Sequence, residues 1–146
     1  MLRLVLISLF LIVSLSGCNP RKAQRLAFST REVVLMDGYY SADPKAAEQS
    51  LLGLSEHLWS GQKQKLESRD YDYTLALVHG RLALLYQQTG RTAEADKQFT
   101  LAFGHMDKSA AHQNIRLPEA DRKRKETLVQ LITMLDKNRE VKWKKP

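Results

Sequence analysis

Apolar residues recur along most of this chain at three- and four-residue intervals, the period of helices packed on one side. Strict alternation rich in β-branched residues, the mark of a half-buried strand, is scarce. The pattern predicts a first helix over residues 21–36, stopped by Asp37-Gly38, and a turn over 39–42. Asp43-Pro44 opens a second helix, because Asp can cap it and Pro is already shaped for the first helical position. Ala47, Leu51, Leu54 and Leu58 mark one face of that helix, with Trp59 beside it. Ser60-Gly61 should weaken or end it, and the polar stretch 62–70 reads as a loop or a solvated extension. The strongest helix covers 73–89. Leu75, Val78, Leu82, Leu85 and Tyr86 share one side, while Leu77 and Leu84 add apolar surface on another. A helix apolar around so much of its circumference is buried on more than one side. Gly90 closes it, and Thr92 is placed to cap a helix whose inner face is Ala95, Phe99, Ala102, Phe103 and Met106. Residues 107–116 form a polar connection, in which Ala110 should tolerate bulk. Pro118 opens a last helix with Leu128, Leu131, Ile132 and Leu135 on one stripe.

The first 18 residues follow a different rule. Arg3 gives a positive start, residues 4–15 are apolar apart from Ser8 and Ser14, and the run closes on small and polar residues. That is the layout of a secretory signal, shorter than a membrane span, which needs roughly 20 apolar residues. The run ends in Leu15-Ser16-Gly17-Cys18, which holds the only cysteine of the chain. This stretch resembles a bacterial lipobox. The resemblance implies cleavage before Cys18, a diacylglycerol on its sulfur and an acyl chain on its new amino group. A lone thiol in an exported chain calls for a special role, and two acyl chains anchor where one binds only marginally. Asn19 stands where Asp, in the Gram-negative lipoproteins this resembles, favours inner-membrane retention. The implied address is the inner leaflet of the outer membrane, facing the periplasm, or the cell membrane if the source is not Gram-negative. An uncleaved N-terminal anchor is the alternative.

Leu82, Ala83, Tyr86, Gly90, Ala95, Phe99 and Ala102 together resemble one tetratricopeptide repeat of roughly 34 residues. The small residues let two helices approach, Tyr86 and Phe99 fill the space between them, and Gly90 permits a turn with positive φ. Asp107 stands where the family's closing Pro is expected. One repeat cannot bury both its faces, so neighbours must stack on it. The helix opened by Pro44 is the upstream candidate and the Pro118 helix the downstream cap. In that family, ligands bind the surface made by the first helix of each repeat. The matching positions are Leu77, Gly80, Leu84, Gln87 and Gln88. Leu77, Leu84, Gln87 and Gln88 are thus the candidate partner face, although the two leucines and the glycine also suit another helix covering it.

The chain carries a formal charge of +7, concentrated in three runs. They are Arg21, Lys22, Arg25 and Arg31; then Arg122-Lys123-Arg124-Lys125; then Lys142-Trp143-Lys144-Lys145. For an exported chain the counterparts are anionic lipid, peptidoglycan or an acidic partner rather than nucleic acid. Chemistry is harder to find. His57, His79, His105 and His112 form no metal-binding pair, and His79 reads as a core histidine. Ser60-Gly61-Gln62-Lys63 matches the short Ser-x-x-Lys pattern without its companion motifs. Asp70 and Asp72 suit a helix start better than paired-carboxylate catalysis.

These observations predict an all-α chain, a helical hairpin array of tetratricopeptide type with one clear repeat and flanking helices. Its divisions are a signal over 1–17, a lipidated Cys18 with a tether through 22, a helical domain over 23–138 and a basic tail over 139–146. The expected role is a non-catalytic envelope adaptor with a membrane contact and a protein partner of unknown identity. No metal and no cofactor beyond the covalent lipid is expected. The alternatives are a structural lipoprotein using its basic segments on peptidoglycan or anionic lipid, and a small envelope hydrolase.

Overall fold

A computed structural model describes residues 19–41 and 43–137. The signal, Cys18 and the basic tail lie outside the described residues. The described part is all-helical: α1 Pro20–Ser41, α2 Pro44–Gln64, α3 Tyr71–Gln88, α4 Thr92–Gln113 and α5 Asp121–Asp136.

The first four helices pack each against the next in antiparallel order, and α5 lies along α3. Contacts that step in opposite directions along the chain fix this. Leu35 meets Gly53 and Phe28 meets Gly61 between α1 and α2. Tyr86 bonds Glu48 between α2 and α3, near the opposite end from Tyr71, whose hydroxyl faces Gly61. Gly80 and Arg81 of α3 meet Leu128, Ile132 and Asp136 of α5, so α3 is enclosed from both sides. Two apolar clusters result. One joins α1 and α2 to Leu75, Val78, Leu82 and Leu85 of α3. The other joins Leu77 and Ala83 to Phe99 and Ala102 of α4 and Leu128 and Ile132 of α5. Each fully buried leucine contributes about 1.5–3 kcal/mol, so the α2 face of Leu51, Leu54 and Leu58 alone is a substantial share of the core.

Several helix boundaries depart from the sequence expectation, and packing explains them. Residues 20–22 belong to α1 rather than to a tether. Asn19 accepts from the Arg21 N–H at 3.1 Å, and Pro20 suits the first helical turn. Helix α1 continues through Asp37-Gly38 because a Cβ on Gly38 would collide with Ser50 of α2, so glycine serves close approach there. Tyr39, expected in a turn, is fully buried. Likewise α2 runs through Gly61, where the Phe28 ring occupies the space of a side chain. It ends on Lys65, which adopts φ 48°. Asp43 caps α2 by accepting from the N–H groups of Lys45 and Ala46, as its sequence position suggests. Asp70 caps α3 through the Tyr73 N–H at 2.9 Å, which moves that helix start back to Tyr71.

Thr92 is not a cap. It is the first residue of α4, and the cap position is Arg91, without a side-chain cap bond. The polar connection expected over 107–116 is mostly helix, since α4 reaches Gln113. Ser109 and Ala110 are buried, so Ala110 is not a neutral site. Pro118 precedes rather than opens α5. Its carbonyl accepts from Arg124 at 2.7 Å, and the helix starts at Asp121. Leu135 is exposed, and Asp136 takes the inward position beside it.

Candidate functional site

All seven residues of the repeat resemblance sit in the α3–α4 hairpin. Leu82, Ala83, Tyr86, Ala95, Phe99 and Ala102 are buried. Gly90 has φ 76° and open space around its absent Cβ, so its role is conformational. The hairpin is pinned to α2 at the turn. Tyr86 donates to Glu48 at 2.7 Å, and Arg91 reaches the other Glu48 oxygen at 2.7 Å while lying over the Tyr86 ring. Burial and the Glu48 hydrogen bond push the Tyr86 phenol up to about 12.

Of the face named as a partner surface, Leu77 is buried and Leu84 half-buried against α5. A Cβ on Gly80 would lie 2.6 Å from Ile132 and 3.0 Å from Leu128. This part of the face is occupied within the chain, which corrects its reading as a partner surface. Gln87 and Gln88 remain exposed.

Two buried polar centres flank the covered face. The first joins three helices. Asp136 of α5 accepts from Arg81 Nη2 at 2.7 Å, from the Tyr39 hydroxyl at 3.1 Å and from the Tyr40 hydroxyl at 3.0 Å. Arg81 and Asp136 are 5% and 4% exposed, so the pair is shielded from solvent. Burial opposes the Arg81 charge, but the hydrogen bond and charge of Asp136 outweigh it and hold the guanidinium above its usual range. Burial, then the Asp136 carboxylate, raises the Tyr39 phenol. A charge within the apolar stretch Leu77-Val78-His79-Gly80-Arg81-Leu82 was the available sequence signal, since buried charges are paired.

The second centre is a row between α2, α3 and α4. The His79 and His105 rings are parallel with centroids 5.5 Å apart, and Trp59 meets His105 edge-on. His79 bonds Gln98 through Nδ1 at 2.7 Å, and His105 bonds Asp72 at 2.7 Å. Burial depresses the His79 pKa, and the neighbouring His105 adds to this against the Gln98 bond. Asp70 and Asp72 thus serve as cap and histidine partner, not as a carboxylate pair. Ser60 and Lys63 are exposed on α2, and the Ser60 hydroxyl accepts from Gln64 at 2.9 Å. Of the middle basic run, Arg124 pairs with Asp107 at 2.9 Å and Lys125 lies over the Phe99 ring.

Among the described residues, one exposed apolar surface lies on α1. Leu26 and Val33 are 69% and 59% exposed and fall, with half-buried Tyr40, at seven-residue spacing on one side of the helix. Val34 is 63% exposed on an adjoining side. Ser29, Glu32, Met36 and Asp37 complete a shallow groove with Val33 and Tyr40. Among the described residues no group of three or more His, Cys, Asp or Glu is arranged to hold a metal ion. No described helix is long and apolar enough to cross a membrane. Comparison with protein-family models, curated proteins and solved structures finds no match.

Proposed function

We propose that this chain is a lipid-anchored adaptor of the bacterial envelope, a helical module of tetratricopeptide type that docks a protein partner rather than catalysing a reaction. The observation that carries the reading is the lipobox-like Leu15-Ser16-Gly17-Cys18 placed immediately before a packed helical unit that starts at Pro20. In this reading Cys18 holds diacylglycerol and acyl chains. The tether is one residue long, and the domain faces the periplasm close to the bilayer. The α3–α4 hairpin, with its small and aromatic residues at the repeat spacing, is the central repeat. Helices α1 and α2 stand on one side of it and α5 on the other.

Because α5 covers much of α3, the docking surface is α1. Its Leu26, Val33 and Val34 are large apolar side chains in water, and clustered exposed apolar residues mark interaction sites. A photoreactive amino acid at Val33 should capture a discrete envelope protein in cells, and one at exposed Thr100 on α4 should not. Capture of nothing from Val33, with the protein folded and membrane-bound, would contradict the adaptor reading. Loss of membrane association in Cys18→Ser tests the anchor separately.

A further inference from the structure

The end of the bundle where α1 begins also holds the loop after α2, the start of α3 and the end of α4. Arg21, Arg25, Lys65, Asp70 and Gln113 line one shallow basin there. Its charges are mixed. Arg21, Arg25 and Lys65 stand beside Glu67, Asp70 and Asp72, and Arg69 is bidentate to Glu32 at 2.9 and 2.6 Å. The basin therefore favours neither sign of ligand.

An apolar cleft of about 210 Å³ opens next to the basin, with Gln113 on the border of both. Leu77, Met106, Leu117, Leu128 and Leu131 form much of its wall. Tyr73 and Ile115 also line it and are 42% and 54% exposed, so the apolar lining continues onto the surface. The opposite end differs: the α3–α4 turn exposes Gln87, Gln88, Thr89 and Gly90. Contiguous apolar surface in water marks a contact site, and the course of the chain selects what covers this one. Asn19 alone separates Cys18 from Pro20, where α1 starts. Each residue spans at most about 3.6 Å. A lipid on Cys18 therefore holds this end, and not the Gln88 end, against the bilayer. Lys22 and Lys65 are exposed at the same end, and lysine stems can lie along apolar surface while the ammonium stays in water. Tyrosine is favoured at a membrane–water interface, where its ring and its hydroxyl each meet a matching layer.

We propose that this end of the bundle sits in the interface of the lipid bilayer through Tyr73, Ile115 and the Leu117 edge of the cleft. The contact fixes the orientation of the domain and leaves the exposed α1 face clear of the membrane. This orientation rests on the lipid-anchored reading of Cys18 and adds which face the domain turns to the lipid.

Fluorescence quenching tests it on the protein purified from membranes and added to preformed phosphatidylcholine vesicles. With the Cys18 sulfur lipidated, Ile115→Cys, Gln88→Cys and Val33→Cys each supply one thiol for an environment-sensitive dye. The Ile115 dye should be quenched by doxyl-labelled lipid. It should also be several-fold less accessible to aqueous iodide than the Gln88 dye, which lies about 25 Å from the start of α3. The difference should persist at high salt, because apolar burial is not screened. A dye on Tyr73→Cys should report the same burial and lose it when Ile115→Asp is added, with the helical circular dichroism unchanged. A lipidated chain whose Ile115 dye is as open to iodide as the Gln88 dye overturns the orientation alone. So does quenching by doxyl lipid at Val33 in place of Ile115, which would lay α1 on the membrane. Loss of the difference at high salt overturns its apolar basis, and a Tyr73 dye indifferent to Ile115→Asp overturns the role of Ile115. An intact mass without lipid on Cys18 overturns the anchored reading and the orientation with it.

Discussion

Asp136→Ala should be strongly destabilising. The carboxylate is the acceptor for Arg81, Tyr39 and Tyr40, drawn from two other helices. Its removal leaves a guanidinium 5% exposed without that counter-charge and takes an acceptor from a buried phenol. Breaking a buried ion pair on one side costs about 3–5 kcal/mol. A small refund comes from the helix dipole, because Asp136 is the last residue of α5, where a negative charge is disfavoured by about 0.3–1 kcal/mol. The net expectation is a loss of about 2–5 kcal/mol, against a total of roughly 5–15 kcal/mol for a typical domain. Urea denaturation followed by far-UV circular dichroism measures it. Replacing both partners, as Arg81→Met with Asp136→Leu, should recover most of the loss, since an apolar pair of similar volume is often neutral. If Asp136→Ala stays within about 1 kcal/mol of the parent chain, Arg81 is not dependent on Asp136 in the way the geometry implies. If the double replacement is as unstable as the single one, packing rather than charge burial sets the cost.

Two further outcomes follow from the hairpin and from the histidine row. Ala95 is fully buried where α4 meets the first apolar cluster, so Ala95→Leu should cost about 1–3 kcal/mol by overpacking. Lys97→Leu on the exposed side of α4 should cost far less, and equal urea midpoints for the two would refute the packing. The His79 pKa is depressed in the folded chain from an ordinary value of 6.5, so the unfolded chain binds the proton more readily. Stability is then complete above that value and falls as pH drops below it, by at most about 1.4 kcal/mol per pH unit for one proton. His79→Gln should flatten this part of the pH profile, with His105 and Asp72 still present. An unchanged profile between pH 7.5 and 5.5 would show that His79 does not drive it.

The helices were legible because their signal is local and repeated. Leu75, Val78, Leu82 and Leu85 recur on one side of α3 whatever surrounds them, and all are buried. Gly90 was legible because a helix ending on glycine is a backbone matter, and its φ is positive. Gly38 and Gly61 misled because in them the missing side chain serves a neighbour. Only the position of Ser50 or Phe28 distinguishes close approach from a helix stop. Ala110 misled in the same way, being small within a polar stretch yet buried on α4. Arg81 carried a signal in its apolar surroundings. Asp136 did not, since it follows an apolar stripe and precedes a basic stretch, where a solvated carboxylate is the ordinary expectation. Arg21 and Arg25 stood out as a charge run, whereas Lys65 and the carboxylates of Glu67 and Asp70 come near them only through the packing of α1, α2 and α3.

The proposed function depends first on the fate of Cys18. Intact-mass analysis of the protein purified from the membranes of a bacterium that makes it is the most direct test. The expected product is a chain that starts at Cys18 and carries the added mass of a diacylglycerol and one further acyl chain, and Cys18→Ser should remove that mass. A chain that retains Met1, or one cleaved elsewhere with a free Cys18 thiol, would contradict the lipid-anchored reading.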